Sequence, residues 1–210
     1  MPATDSSTPS STESEHIGRA LIDLCPEHGY RDTTLSMLLK KASVDRETFE
    51  RHFADLEDCF CRTFQELSNQ YLLRLGAAYA SQEGWANQLR GAGYASLRFL
   101  REDLPRARFL FIEVLSAGTR AQLIRDQGMD ALSELIDLGR RELEDPTSVT
   151  HDTAVSLAGG VYQRTRLAIE RDDPQVWART IPEFMYTLVL PYLGPNAALA
   201  ELSIPPPDGL

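Results

Sequence analysis

Apolar residues recur through most of this 210-residue chain every three or four positions, the interval that keeps one face of an α-helix turned inward. Ile17, Ala20, Leu21 and Leu24 set the first such stripe, and His28-Gly29-Tyr30 supplies its stop. Pro26 falls in the last turn of that helix and removes a backbone donor, which predicts a kink or an early end. Leu35, Leu38, Leu39 and Ala42 form a second stripe behind Thr33 or Thr34, either of whose hydroxyls can cap a free N–H. Ser43-Val44 makes a turn with Val44 as its apolar plug, and Asp45 caps a third helix. From Arg46 to His52 this helix has only Phe49, and Phe53 just beyond it, to bury; the rest faces outward. A helix with so little inward surface is suited to being presented to a partner, and in a helix-turn-helix unit that partner is the major groove of DNA.

The pattern continues in longer segments. Ala54-Asp55 opens a helix from Leu56 to about Ala80, with Phe60, Phe64, Leu67, Tyr71, Leu72 and Leu75 on one stripe that two cores can share. Further helices are predicted at Trp85 to Asp103, Pro105 to about Leu115, Thr119 to Leu143, His151 to Arg171, Gln175 to Leu193, and in a short last turn from Asn196 to Leu202. Period-two alternation with β-branched residues is absent, so the predicted fold is all-α. Residues 1–14 hold almost nothing to bury and are expected to be a disordered tail. A helix-turn-helix domain at 15–62, a larger helical domain at 63–202 and a tail at 203–210 complete the expected organisation. Leu157 and Val161, beside Gly159-Gly160, and Trp177, Phe184 and Leu188 make apolar surface wider than one core-facing stripe. Such surface marks either a subunit interface or fully buried core helices.

Composition narrows the function. No run of 18 apolar residues offers a membrane span, and the N-terminus lacks the basic start and apolar block of a secretory signal, so a cytoplasmic protein is expected. Cys25, Cys59 and Cys61 are an odd, sparse set suited to a reducing compartment, either as small buried hydrophobes or as a redox-sensing thiol. Cys59-x-Cys61 lacks the spacing of a zinc site. A net charge of −10 argues against a general nucleic-acid coat but leaves room for a local basic face. There is no phosphate loop, nucleophile elbow or paired metal-ligand spacing, so neither catalysis nor a cofactor is expected.

The order of parts carries a resemblance. A helix ending in His28-Gly29-Tyr30, then Thr33-Thr34, Ala42-Ser43-Val44, Thr48-Phe49 and Arg51-His52-Phe53, resembles the TetR family of bacterial transcriptional regulators. The match runs from residue 17 to about 64; beyond it, helix count and the Leu190-Pro191-Tyr192-Leu193-Gly194 ending are similar. The resemblance implies a homodimeric repressor whose N-terminal domain binds a double-stranded operator and whose C-terminal domain dimerises and binds a small effector. It implies that Thr33 or Thr34 binds a phosphate and that Arg46, Thr48 and Arg51 reach bases or phosphates. His52 would lie at the DNA backbone edge or serve only to pack the domain. For the effector it implies a lining drawn from Tyr71, Trp85, Tyr94, Phe99, Phe109, Glu113, Tyr162 and Arg166.

Two positions depart from the family pattern. Glu50 stands where the family usually has an aromatic, and Leu56 where it usually has a Lys. Residues 45–58 hold six acids, Asp45, Glu47, Glu50, Asp55, Glu57 and Asp58, against two bases, Arg46 and Arg51. A carboxylate repels phosphate, although Glu can accept from cytosine N4. DNA binding is therefore expected to be weaker, more salt-sensitive or narrower in sequence than the family norm, and the alternative is a ligand- or protein-binding module that has lost it.

Overall fold

The computed structural model of the protein describes residues 9–172 and 174–207 and contains helices and turns, with no strand among those residues. In chain order the helices are α1 (Pro9–His28), α2 (Leu35–Ala42), α3 (Arg46–His52), α4 (Leu56–Ala80), α5 (Trp85–Glu102), α6 (Leu104–Phe111), α7 (Thr119–Asp137), α8 (His151–Arg171) and α9 (Pro174–Glu201). The architecture is all-α, with a short three-helix unit at the N-terminus and a larger helical body behind it. None of the described helices is long and apolar enough to cross a membrane.

Helix α1 starts earlier than its apolar pattern required. Residues 9–14, expected within a disordered tail, form its first turns, while residues 1–8 lie outside the described residues. Its periodic face begins only at Ile17, but Glu13 gains a partner on α3, which gives the extra turns a contact. Pro26 does not shorten α1; the helix runs to His28 and closes with Gly29 N–H donating to Cys25 O at 2.7 Å. A proline in a final turn forfeits one backbone bond, less than the burial of Leu24 and Cys25 beside it contributes.

Helix α4, at 25 residues about 37 Å long for a 1.5 Å rise, carries the chain from the small unit into the body. Cys59, Phe60, Phe64 and Leu67 on its first turns are buried, and Tyr71 further along packs on Phe99 of α5. Buried residues from both parts form one cluster, so the core runs without a break past residues 62 and 63.

Two predicted helices end early, each for a local reason. Helix α6 stops at Phe111 and the chain tightens into a 3₁₀ turn at Glu113–Ser116, which places the Glu113 side chain against the loop after α1. Helix α7 stops at Asp137 instead of Leu143 and continues as a 3₁₀ turn, Leu138–Glu142. There the Trp85 indole lies across Gly139 and donates its N–H to Leu135 O at 3.1 Å. Helix α9 is interrupted at Gly194, whose φ of 79° only glycine adopts cheaply, and its final segment is tied back by a two-bond Arg90–Glu201 ion pair at 2.7 and 2.9 Å.

Trp177, Phe184 and Leu188, expected at a subunit interface, instead belong to the chain's own core. Helix α9 packs on α5 and α8, with Ile181 filling the space above Gly93. Leu157 and Val161 are half-buried. Outward apolar side chains of this region include Val155 on α8 and Leu190, Leu193 and Leu199 on α9, and Gly159 and Gly160 leave bare backbone on α8.

The Trp85–Gly139 contact gives a direct test. A Cβ at position 139 would sit 2.6 Å from Trp85 Cζ2, so Gly139→Ala is expected to lower unfolding free energy by about 1–3 kcal/mol, read as a lower urea midpoint.

Candidate nucleic-acid interface

The two short helices are fixed mainly by their ends. Thr34 caps α2, accepting from Met37 N–H at 3.3 Å. Thr33 is buried and donates to Gly29 O at 2.8 Å, so of the two expected phosphate-binding threonines only Thr34 is presented outward. At the other end Ser43 turns left-handed, with φ of 55°. Ser43 N–H donates to Lys40 O and Val44 N–H to Leu39 O, which closes the helix and brings Val44 onto the core. His16 of α1 donates its Nε2–H to Ala42 O at 2.9 Å, satisfying another terminal carbonyl. Asp45 then caps α3 by accepting from Thr48 N–H at 2.8 Å, a bond that holds its carboxyl below the usual carboxylate range.

Helix α3 buries Phe49, with Phe53 at its end 5.5 Å from it ring to ring, and exposes Arg46, Glu47, Glu50 and Arg51. The expected DNA-contacting side chains of α3 each already have a partner within the chain. Arg46 Nε donates to Glu50 Oε1 at 2.7 Å, so the acid that stands where the resembled family usually has an aromatic is paired within the helix. Arg51 Nη2 donates to Thr48 Oγ1 at 3.0 Å. His52 is not at an open edge: its side chain is 8% exposed and its Nε2 lies 2.7 Å from Glu13 Oε2. Exposed pairs of this kind are worth roughly 0–1 kcal/mol, against about 1–3 for a good bidentate base contact, so they do not bar the arginines from DNA.

Sequence reasoning missed Arg62. From α4 it donates to the His52 carbonyl and lies 4.9 Å above the Phe53 ring, bracing the end of α3. Ten positions separate Arg62 from His52, and no local pattern joins them.

Polar and aromatic ties join the three-helix unit to the body. Arg19 Nη1 reaches Asp103 Oδ2 at 2.6 Å, Tyr30 N–H donates to Glu113 Oε2 at 2.8 Å, and Arg120 Nη1 reaches Asp58 Oδ1 at 3.1 Å. Between them Tyr30 packs tilted on Phe60, which stacks on Phe109, with centroids 4.4 and 4.3 Å apart. Phe109 and Glu113, expected in an effector site, thus lie at this junction.

The other expected effector-lining residues divide. Tyr71, Phe99 and Tyr162 come together with Phe111, at centroid distances of 5.3 Å for Tyr71–Phe99, 6.0 Å for Tyr71–Phe111 and 5.4 Å for Phe111–Tyr162. Inside this group the Tyr71 hydroxyl bonds Ser96 Oγ at 2.7 Å, and burial pushes it up to about 12. Arg125 stands 5.7 Å from the Tyr162 ring, and Arg166 is bonded to Gln163 and Glu170 nearby. Trp85 is elsewhere, against Tyr192, and Tyr94 lies toward Arg90 and Glu201. A cleft of about 200 Å³ opens between α1 and α4, lined among others by Arg19, Arg62, Thr63 and Arg106, apart from all eight expected residues. Burial raises the thiols of Cys25 and Cys59 to about 12 and that of Cys61 upward, leaving little thiolate to react.

No protein-family model and no curated protein matches the chain. Its fold does match solved structures. FadR, a fatty acid degradation regulator from Bacillus halodurans, superposes with a TM-score of 0.72 at 16% identity, covering 91% of this chain and 97% of that one. The transcriptional regulator FadR from Bacillus subtilis, solved in complex with stearoyl-CoA, gives 0.70 at 17% identity, covering 85% and 97%. A chain from Shewanella sp. PV-4 assigned as a TetR family transcription regulator gives 0.66 at 17%, covering 86% and 96%. The fold is that of TetR-type regulators, a helix-turn-helix unit on a larger helical domain.

Ser43 provides the test of the local geometry. It holds a left-handed conformation that costs an ordinary residue about 1 kcal/mol, so Ser43→Gly is expected to raise unfolding free energy by up to about that amount in urea denaturation.

Proposed function

We propose that this chain is a TetR-family transcriptional regulator: a homodimer that holds an operator through α2 and α3 and releases it when a small molecule enters the helical body. The observation that carries this reading is α3 itself, a capped helix that commits two phenylalanines to the core and leaves Arg46 and Arg51 exposed, with Thr48 half-buried and bonded to Arg51. In the groove Arg46 and Arg51 would exchange their present partners for base edges or phosphates, and Thr34 would meet a phosphate at the start of α2. Glu47 and Glu50 repel the backbone and tolerate a cytosine N4 donor, which favours a narrow set of sequences.

The body supports a control function. An effector lodged among Tyr71, Phe99, Phe111 and Tyr162 would press on α6, and α6 reaches the small unit through Phe109 on Phe60, Asp103 on Arg19 and, just beyond it, Glu113 on Tyr30. Two recognition helices in a dimer must sit about 34–36 Å apart to read successive turns of DNA. A small shift at the junction would spoil that spacing, and ligand and DNA are then linked reciprocally, typically by 1–3 kcal/mol. Stearoyl-CoA, bound by the Bacillus subtilis regulator, makes a long apolar acyl chain the first effector class to try. The dimer seam would use the outward face of α8 and α9, where Val155, Gly159, Gly160, Leu190 and Leu193 lie open. A cytoplasmic, non-enzymatic role goes with this reading.

A second reading rests on the carboxylates that already pair with Arg46, Arg51 and His52: the same fold serving as a ligand- or partner-binding module without operator binding. Gel shifts with the gene's own upstream DNA at two salt concentrations separate the two. The regulator reading expects a discrete complex whose affinity falls steeply with salt, and the module reading expects none even at low salt. Arg51→Ala is expected to weaken the complex about tenfold or more, and unchanged affinity would remove α3 as the recognition helix. In sedimentation, Gly159→Glu is expected to turn a dimer into a monomer; a dimer that survives it would place the seam elsewhere.

A further inference from the structure

We infer that the Glu13 carboxylate occupies the position of a DNA phosphate oxygen at the end of α3, so that the chain competes with DNA for its own Arg51 and His52. This rests on the DNA-binding reading above and adds a restraint within it.

The geometry is that of a small anion site filled from within. His52 Nε2 and Arg51 Nη2 converge on one atom, Glu13 Oε2, at 2.7 and 3.6 Å. The receiving side is rigid. The His52 carbonyl accepts from Arg62, its ring lies against Phe53, and its side chain is almost fully enclosed. The donating side is a carboxylate 40% exposed on the opening turns of α1, ahead of the apolar stripe that anchors that helix at Ile17. Helix ends fray at little cost, so Glu13 can leave while His52 and Arg51 stay in place. The bond from His52 holds the Glu13 carboxyl below the usual carboxylate range, so at neutral pH the site is filled by a full negative charge.

Glu13 is the carboxylate whose removal frees this site. Arg46, the other base of the window, is paired within α3 by Glu50. Glu15, two positions along α1, is exposed, while the bond to His52 belongs to Glu13, so Glu15 carries the same charge without the same bond. Glu13 is open to solvent on its outer side, and an ion pair so screened is worth roughly 1 kcal/mol, a restraint of up to about fivefold on affinity that a phosphate can overcome.

The test uses the full-length chain and its Glu13→Gln, Glu15→Gln and His52→Gln variants, titrated by fluorescence anisotropy with operator and unrelated duplexes from low to high salt. Glu13→Gln is expected to bind both duplexes about three- to fivefold more tightly at low salt, an advantage that shrinks as salt screens the pair. Glu15→Gln is expected to change affinity less than twofold. In a Glu13→Gln, His52→Gln double variant the gain is expected to fall well below that of Glu13→Gln alone. Equal effects of the two Glu substitutions, or weaker binding by Glu13→Gln with an unchanged melting temperature, would overturn the inference and leave the regulator reading standing. Failure of the parent and every variant to bind any duplex at low salt would remove both.

Discussion

The burial of Phe49 and Phe53 is the constraint on which the N-terminal unit depends. Helix α3 has seven residues, well below the roughly 12–15 at which an isolated helix begins to hold in water. Full burial of a phenylalanine contributes on the order of 1.5–3 kcal/mol, so two rings outweigh what helix propensity alone could supply over so short a span. The caps then set direction. Asp45 fixes where α3 starts, the left-handed Ser43 fixes its angle to α2, and Arg62 closes its far end from another helix. With both rings committed inward, no residue on the outer face of α3 has a packing task, and its composition is free to follow what it meets.

The same aromatic core does not stop at the small unit. Phe60 stacks on Phe109 and touches Tyr30, so a displacement of α6 is felt at the loop between α1 and α2 through rings in van der Waals contact. Glu113 adds a stiffer tie. A buried carboxylate is costly unless it is bonded, and its acceptance of the Tyr30 N–H holds the 3₁₀ turn after α6 against the end of α1. Such a junction transmits rigid shifts well and absorbs them poorly, as the proposed regulator role would require of the body.

The short-range content of the sequence was largely legible. Helical spacing at Ile17, Leu21, Leu38 and Phe49, the Asp45 and Asp55 caps and the stops at Gly29 and Gly194 all recur in the structure, because each is set by residues within a turn or two. What could not be read were long-range substitutions for local bonds. Trp85 takes the Leu135 carbonyl across 50 positions and ends α7 early; Glu113 takes the Tyr30 N–H across 83 and draws the end of α6 into a 3₁₀ turn. The candidate site suffered in the same way. Phe109 and Glu113 have the composition of a pocket lining and serve a junction, while Trp177, Phe184 and Leu188 have the width of an interface stripe and fill a core, since a stripe does not say which neighbour covers it. The bounds of α3 and the burial of Phe49 followed from spacing alone because the helix is short and both of its ends are capped locally.

The acid excess of residues 45–58 takes on a different meaning once partners are known. Asp45 and Asp55 cap helices, Asp58 holds Arg120 of the body, and Glu50 pairs with Arg46. Four of the six acids thus have structural partners, and a capping or paired carboxylate presents a dipole more than a free charge. Glu47 then remains on the outer face of α3, beside two arginines held by bonds that cost little to break. A recognition surface of that kind has low attraction for phosphate in general and keeps its capacity for directional bonds to bases. Discrimination between sequences grows as the indiscriminate term shrinks, so an acidic recognition helix is compatible with a selective reader and incompatible with a tight non-specific one.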